Sequence, residues 1–373
     1  MARGTAKFDD RILKKLRASK EVEGHLLSAA ELARLLKTSK ARVLAYERGE
    51  SVPEPGRVLQ IAQIFKVHPR ELYQAQAGTP EQLKDLRCYA GLTAAQLAAQ
   101  IGVSRTTYRD VELLAVLPAR DDGTLPLRLA EALNLPLAMV HRALDQHPAA
   151  AARRVSIAEH LSRLFERAEV EHQSALVDAD DAALLQIAKL LHRPASVVCR
   201  LVNYDLARYR DLLRRQAVAK VNLAYAQTPR VAQHQSKEMR GLTEEIKSRP
   251  FVVASTQLRF LAEAMSAQQW RTVISLMRPN PGRFSVEVFQ DLQKQDVWDG
   301  LVARHFVELD ITHSPPDFIG VRLTPRAWDT CLSQIRLYEC LYPRVPVPRP
   351  LPRRPHERRS FRKSEQHHQL TTS

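Results

Sequence analysis

The chain has 373 residues, with 56 Lys+Arg against 41 Asp+Glu for a formal net charge of +15, and is 45% hydrophobic and 26% charged. That length holds two to four domains, and the apolar content is enough for packed cores, which excludes wholesale disorder. No apolar run reaches the roughly 18 residues of a spanning helix, and MARGTAKFDD lacks the apolar segment of a signal peptide, so the basic surplus points to nucleic acid before a membrane surface, at a cytoplasmic, nucleoid-associated location. With only 12 glycines among abundant Ala, Leu, Arg and Gln, the elements are expected to be mostly helices.

The first element is a short helix from Ala29 to Leu36 with Ala30, Leu32, Ala33 and Leu36 on its apolar side. Lys37-Thr38 makes a turn, Ser39 is suited to cap a second helix running to Arg48, and Gly49 is a natural stop. Two short helices joined this way form a helix-turn-helix. The stretch Ser28 to Glu47 aligns without a gap on Thr93 to Glu112 at an offset of 65, with Ala29/Ala94, Leu32/Leu97, Ala33/Ala98, Ser39/Ser104 and Glu47/Glu112 identical. A further block, Leu59 to Leu72, recurs at Leu127 to Val140 at an offset of 68, the extra residues falling in the loop with Asp121, Asp122 and Gly123. Two related helical modules in tandem are therefore expected. A third echo, Leu185 to Val198, repeats LQIA of Leu59 to Ala62 and is either a decayed copy or chance.

These residues resemble the lambda-repressor/Cro-type (XRE-like) helix-turn-helix family, whose pattern runs T-Q-x-E-L-A, G-V-S-x-x-x-I, Y/W-E-R-G and L-x-x-I-A-x-x-L-x-V. The first module supplies Glu31-Leu32-Ala33, Ser39, Val43, Tyr46-Glu47-Arg48-Gly49, Leu59, Ile61-Ala62, Val67 and Glu71-Leu72; the second supplies Leu97-Ala98, Gly102-Val103-Ser104, Glu112, Leu129-Ala130, Leu133 and Leu135. The family's phosphate-touching Gln is Ala29 in one copy and Ala94 in the other. The turn glycine is Lys37 in the first, and the Arg-Gly after the second helix is Leu113-Leu114 in the second, so each copy keeps what the other lost.

The resemblance implies tandem five-helix domains, and a helix that enters the major groove with its N-terminal residues at base edges. In the first module the DNA-facing candidates are Lys40, Ala41, Arg42 and Ala45, with Arg48 beyond them, since Val43 and Tyr46 should face the core. In the second they are Arg105, Thr106, Thr107 and Arg109. Ser39 and Ser104 cap the helices and are placed to touch phosphate. The plain alternative is that these are solvated faces of small helical domains.

From Arg153 to Arg249 the pattern stays helical and turns basic, with Arg208, Arg210, Arg214, Arg215 and Lys220 along one predicted helix. Tyr204 and Tyr209 among them raise single-strand stacking, against a connector helix with a charged outer face. Helices are expected around Trp270 to Met277, Ser285 to Leu292 and Leu301 to Arg304, then extended runs Phe306 to Thr312 and Phe318 to Leu323, then a helix with Pro325 in its first turn. This order, with its V-x-L-T-P ending, resembles a MarR-type winged helix, although the place of the groove-reading helix, Gln293 to Val302, is short and carries Asp296 and Asp299. An unrelated α+β dimerisation domain is the alternative. Pro343 to Ser373, with six prolines and eight Lys/Arg against two Glu, is expected as an extended tail.

The expected organisation is thus mainly α: modules at 1–78 and 79–147, a basic helical region at 148–250, a winged-helix-like domain at 251–342 and the tail at 343–373. The charge is uneven, at +6, −1, +5, −1 and +6 over 1–78, 79–146, 147–250, 251–342 and 343–373. No phosphate-binding glycine loop, HExxH or GxSxG occurs, and Cys88, Cys199, Cys331 and Cys340 form no CxxC, so neither an enzyme nor a cofactor or metal is expected. The expected partner is double-stranded DNA, bound by a bacterial transcriptional regulator, with a homodimer the commoner arrangement by family analogy. A plasmid or phage replication, partition or maintenance factor, and an adaptor whose modules bind protein, are the competing readings.

Overall fold

A computed structural model describes residues 7–22, 24–74, 80–118, 123–170, 176–277, 283–294, 297–310 and 318–351. The described residues hold seventeen α-helices and two small antiparallel sheets. The chain divides into two compact units, one of residues 1–118 and 125–153 and the other of 119–124 and 154–373.

The first unit begins with α1 (Asp10–Ser19), β1 (Glu21–Val22) and β2 (His25–Leu26), followed by α2 (Ala29–Leu35), α3 (Lys40–Glu47), α4 (Pro55–Phe65) and a 3-10 turn (Pro69–Leu72). The two-residue hairpin was not expected, because strands this short carry no readable alternation. Ser28 starts α2 through a capping box with Glu31, and Ser39 starts α3 by accepting the Arg42 N–H. Lys37 takes the left-handed conformation at the turn (φ 52°), in place of the family's glycine. The buried side of α2 is Ala29, Leu32, Ala33 and Leu36; Ala30, expected there, is exposed, because the stripe starts one residue earlier, at the first residue after the cap. These side chains close a core with Leu13, Val43, Tyr46, Val58, Ile61, Phe65 and Leu72.

The same sequence of events follows in α5 (Leu83–Tyr89), α6 (Ala94–Gln100), α7 (Arg105–Leu114), α8 (Leu125–Leu133) and α9 (Leu137–Asp145). Thr93 and Gln96 form the capping box, Ser104 caps α7, and Gly102 takes the left-handed turn position (φ 69°). The two sets of helices are seated on each other: Cys88 of α5 is buried in the first core, and the Tyr73 and Tyr89 rings lie 5.5 Å apart. Gly91, at φ 72°, packs so closely on Leu59 of α4 that a Cβ would meet the leucine at 2.7 Å.

The second unit contains most of α10 (Pro148–Val170), then α11 (Ala182–Leu191), the long helices α12 (Ala195–Ala224) and α13 (Pro229–Glu263), and α14 (Ala267–Leu276). It closes with β3 (Arg283–Ser285), α15 (Val286–Lys294), α16 (Val297–Ala303), β4 (Val307–Asp310), β5 (Phe318–Leu323) and α17 (Pro325–Leu341), the sheet order being β3-β5-β4, all antiparallel. One core joins residues from Ile157 to Val345; Trp270 stacks on Tyr338 at 4.2 Å, and Trp298 stacks on Phe289 at 5.0 Å. Two expected boundaries therefore move. The one between 250 and 251 falls inside α13, which runs through Pro250, and the one at 343 gives way because Val345 is buried and Arg349 pairs with Glu339. The tail beyond 351, including His367 and His368, lies outside the described residues.

The third echo has a conformational counterpart. Lys66, Asn134 and His192, the eighth residues of the three LQIA-type blocks, all end their helices in the left-handed region, at φ 49°, 51° and 51°. Each is followed within a few residues by a proline at the start of the next helical segment: Pro69, Pro136 and Pro194.

Candidate nucleic-acid interface

Val43 and Tyr46 fix the orientation of α3 by their burial, which turns Lys40, Ala41 and Arg42 outward at its N-terminal end. Val43 and Tyr46 are three apart, on one face of the helix; Leu44 and Ala45 between them are half-buried, whereas Lys40, Ala41 and Arg42 are exposed. Ser39 is exposed and spends its hydroxyl on the cap. Lys40 makes no ion pair among the described residues. Arg42 lies over the Tyr46 ring, 5.6 Å from its centroid, and its Nε donates to the Tyr46 hydroxyl at 3.3 Å. The side chain is thereby held extended along the helix while its terminal nitrogens remain open to solvent. Ala45 is half-buried, and Arg48 is exposed but held by Glu50 at 2.7 and 2.9 Å.

In the second module Arg105, Thr106 and Arg109 are exposed on α7 around buried Tyr108. Arg105 and Arg109 are one turn apart and make no ion pair among the described residues. Thr107, expected beside them, is half-buried, and its hydroxyl is hydrogen-bonded to Ser104 at 2.8 Å while its N–H donates to the same Ser104 oxygen.

Each of these helices is fixed at its far end by an ion pair, part-buried at Glu47 and buried at Glu112, that was not foreseen in the sequence. Arg17 of α1 donates to both carboxylate oxygens of Glu47, at 2.5 and 3.0 Å, and reaches the Leu27 carbonyl at 3.5 Å. Arg87 of α5 donates to Glu112 at 2.7 Å and to the Leu92 carbonyl at 2.8 Å. Glu47/Glu112 and Leu27/Leu92 are both related by the offset of 65, so the same three-part tie recurs. The hydrogen bond to Glu47 pushes the Arg17 pKa up, and for Arg87 burial pulls it down while the Glu112 hydrogen bond, together with Cys88 and Tyr108, more than offsets this. A second tie anchors the end of the helix before each turn: Arg57 donates to the Leu36 carbonyl and Arg128 to the Ile101 carbonyl. The glutamates were visible as repeat identities. Their arginine partners were not, because Arg17 and Arg87 are 70 apart and fall outside the gapless alignment.

Of the two tyrosines raised as single-strand stackers in the basic region, Tyr209 is not free for that role. Tyr209 is buried, stacked on Phe165 at 4.5 Å with its hydroxyl on Glu169, and Tyr204 carries Arg208 over its ring at 5.7 Å. The stacking expectation fails for Tyr209 because helix α12 turns it into the core. Asp299 of α16 is exposed, and Asp296 lies outside the described residues. Cys88 and Cys331 are buried, all four cysteines are free thiols, and no cluster of metal-ligating side chains occurs among the described residues. No helix among them is long and apolar enough to cross a membrane.

Residues 21–72, from β1 through the 3-10 turn, match the helix-turn-helix family. The match suggests a DNA-binding regulator of the XRE type. No curated protein and no solved structure gives a significant match to the chain.

Proposed function

We propose that the protein is a sequence-specific regulator that reads double-stranded DNA in the major groove, with α3 as its principal reading helix and α7 as a second reader on the same chain. The observation that carries this is the state of α3: anchored by Val43, Tyr46 and the Glu47–Arg17 pair, it presents Lys40, Ala41 and Arg42 at its N-terminal end within the span that matches the helix-turn-helix family. Arginine pairs best with the O6 and N7 of guanine, and one bidentate contact discriminates against a wrong base by about 1–3 kcal/mol.

For α7 the support is the recurrence of caps, turn geometry and the buried tie. The seating of α5 on the first module and the close packing of Gly91 on Leu59 favour two readers held in one relation, so that a bipartite site is read without a second copy of the chain. The order α14-β3-α15-α16-β4-β5 with sheet order β3-β5-β4 supports a winged-helix reading of the C-terminal region. With Asp299 exposed on α16, we assign this region to protein contacts, not to groove reading. Replacing Lys40 and Arg42 by Ala tests the principal claim. The variant should keep its fold and lose about tenfold or more in affinity for a preferred duplex relative to bulk DNA. Unchanged preference would transfer the function to protein binding.

A further inference from the structure

The basic surplus of the central region is concentrated in one place. The distal half of the α12–α13 hairpin, residues 214–243, carries Arg214, Arg215, Lys220, Arg230, Lys237 and Arg240 against the single acid Glu238, a net +5. All six cations are exposed. Arg240 donates to the Ser236 carbonyl one turn back, and none of the six is ion-paired among the described residues. Here the two helices bury little: Leu212, Ala219 and Leu242 form a small cluster of their own beside Met239 and Ile246, with Gln216 hydrogen-bonded to Thr243 at 2.9 Å. Lys237 and Arg240 face each other at a spacing of three, which costs helix stability in the free protein.

We propose that this half-hairpin is a cationic arm that grips the phosphate backbone of duplex nucleic acid without reading its sequence. The stretch of α13 from 229 to 243 is about 22 Å long at about 1.5 Å per residue. Over that length a B-form duplex presents on the order of a dozen phosphates. Val218, Val221 and Tyr225 are exposed along α12 and would suit a second copy of the chain, but pairing two arms there sets +5 against +5. Duplex DNA meets the same surface with opposite charge. The arm needs no base contact, so it stands apart from the reading assigned to α3.

The test is a full-length variant with Arg214, Lys220, Arg230 and Lys237 each replaced by Gln, a residue that keeps helix propensity. Its binding to a random-sequence duplex is titrated between 50 and 200 mM salt, with circular dichroism as the check on helicity. Each lost phosphate contact removes about 0.9 from the slope of log affinity against log salt, so the slope should shrink by about 2 to 4. If four changes unfold the hairpin, Arg214→Gln/Lys220→Gln and Arg230→Gln/Lys237→Gln are measured as pairs, each expected to lower it by about 1 to 2, while replacing Arg214 and Arg230 by Lys should leave it in place. A slope within about 0.5 of the parent in a helical variant overturns the proposal. So does an unchanged slope accompanied by lost binding to phosphatidylserine vesicles, which would make the partner a membrane, or by lost self-association in sedimentation, which would make it a second copy. Loss of base preference in the Lys40/Arg42 variant with the arm's slope effect intact would leave this inference standing.

Discussion

Glu112→Ala isolates the buried one of the two ties that hold the candidate reading helices. The Arg87 side chain is 3% exposed and Glu112 6%, so removing the carboxylate leaves a buried guanidinium without its counter-charge, which a carbonyl such as that of Leu92 does not supply. Breaking a buried pair from one side costs about 3–5 kcal/mol, most of it the uncompensated charge. For a unit of this size each kcal/mol moves the midpoint by about 2–4 °C, so the variant should melt roughly 10 °C lower. Glu47→Ala is the internal comparison: Arg17 is 22% exposed, water can solvate it, and the loss should be about half as large. Replacing both Arg87 and Glu112 by Met and Leu should recover most of the loss, because it is the buried charge without its counter-charge, more than the absent attraction, that destabilises. Denaturant unfolding followed by circular dichroism measures all four proteins. A cost below about 1 kcal/mol for Glu112→Ala, or a double variant no more stable than the single one, would refute the assignment.

Gly91→Ala should cost about 2–4 kcal/mol, since the methyl group meets Leu59 and the backbone sits at φ 72°; thermal melting checks it, and a neutral result would mean the two modules are not seated as described. His147 caps α10 by accepting the Ala149 N–H at Nδ1, and burial, then Arg153 and Lys84, lower its pKa below the ordinary value. A lowered pKa means the native state favours the neutral ring, so this stability is present above the unfolded value near 6.5 and is lost as pH falls through the folded one. Between pH 7 and 5 the parent should lose stability that His147→Asn, which caps at every pH, retains. Ser39→Ala should cost about 1 kcal/mol and fray the first turn of α3, seen as faster amide exchange at Arg42.

The parts of this fold that were legible in the sequence are those fixed by near neighbours. Ser39 and Ser104 as caps, Gly49 as a stop and Pro325 at a helix start depend on contacts within four residues, and the structure has each in its expected place. The core-facing places of Val43 and Tyr46 followed from the helix-turn-helix pattern that these residues resemble. What was not legible depends on distance along the chain. Arg17 meets Glu47 across 30 residues and Arg87 meets Glu112 across 25, and nothing local distinguishes these arginines from the exposed ones around them. Tyr209 looked available because its neighbours are charged, yet it faces the core. Helix α13 runs through Pro250, where packing outweighs a lost backbone hydrogen bond and the boundary placed beside it has no physical basis. That the Thr107 hydroxyl is hydrogen-bonded to its capping partner Ser104 could not be told from sequence.

The central claim is that the chain prefers particular DNA sequences through α3. Selection of bound duplexes from a random library by the full-length protein at near-physiological salt tests it directly. The expected result is an enriched motif containing guanine at a position that relaxes when Arg42 is replaced by Ala, with affinity for the motif at least about a thousandfold above that for bulk DNA. Recovery of unenriched sequence after repeated rounds, with salt-sensitive binding intact, would contradict it and leave a protein that holds DNA by charge alone.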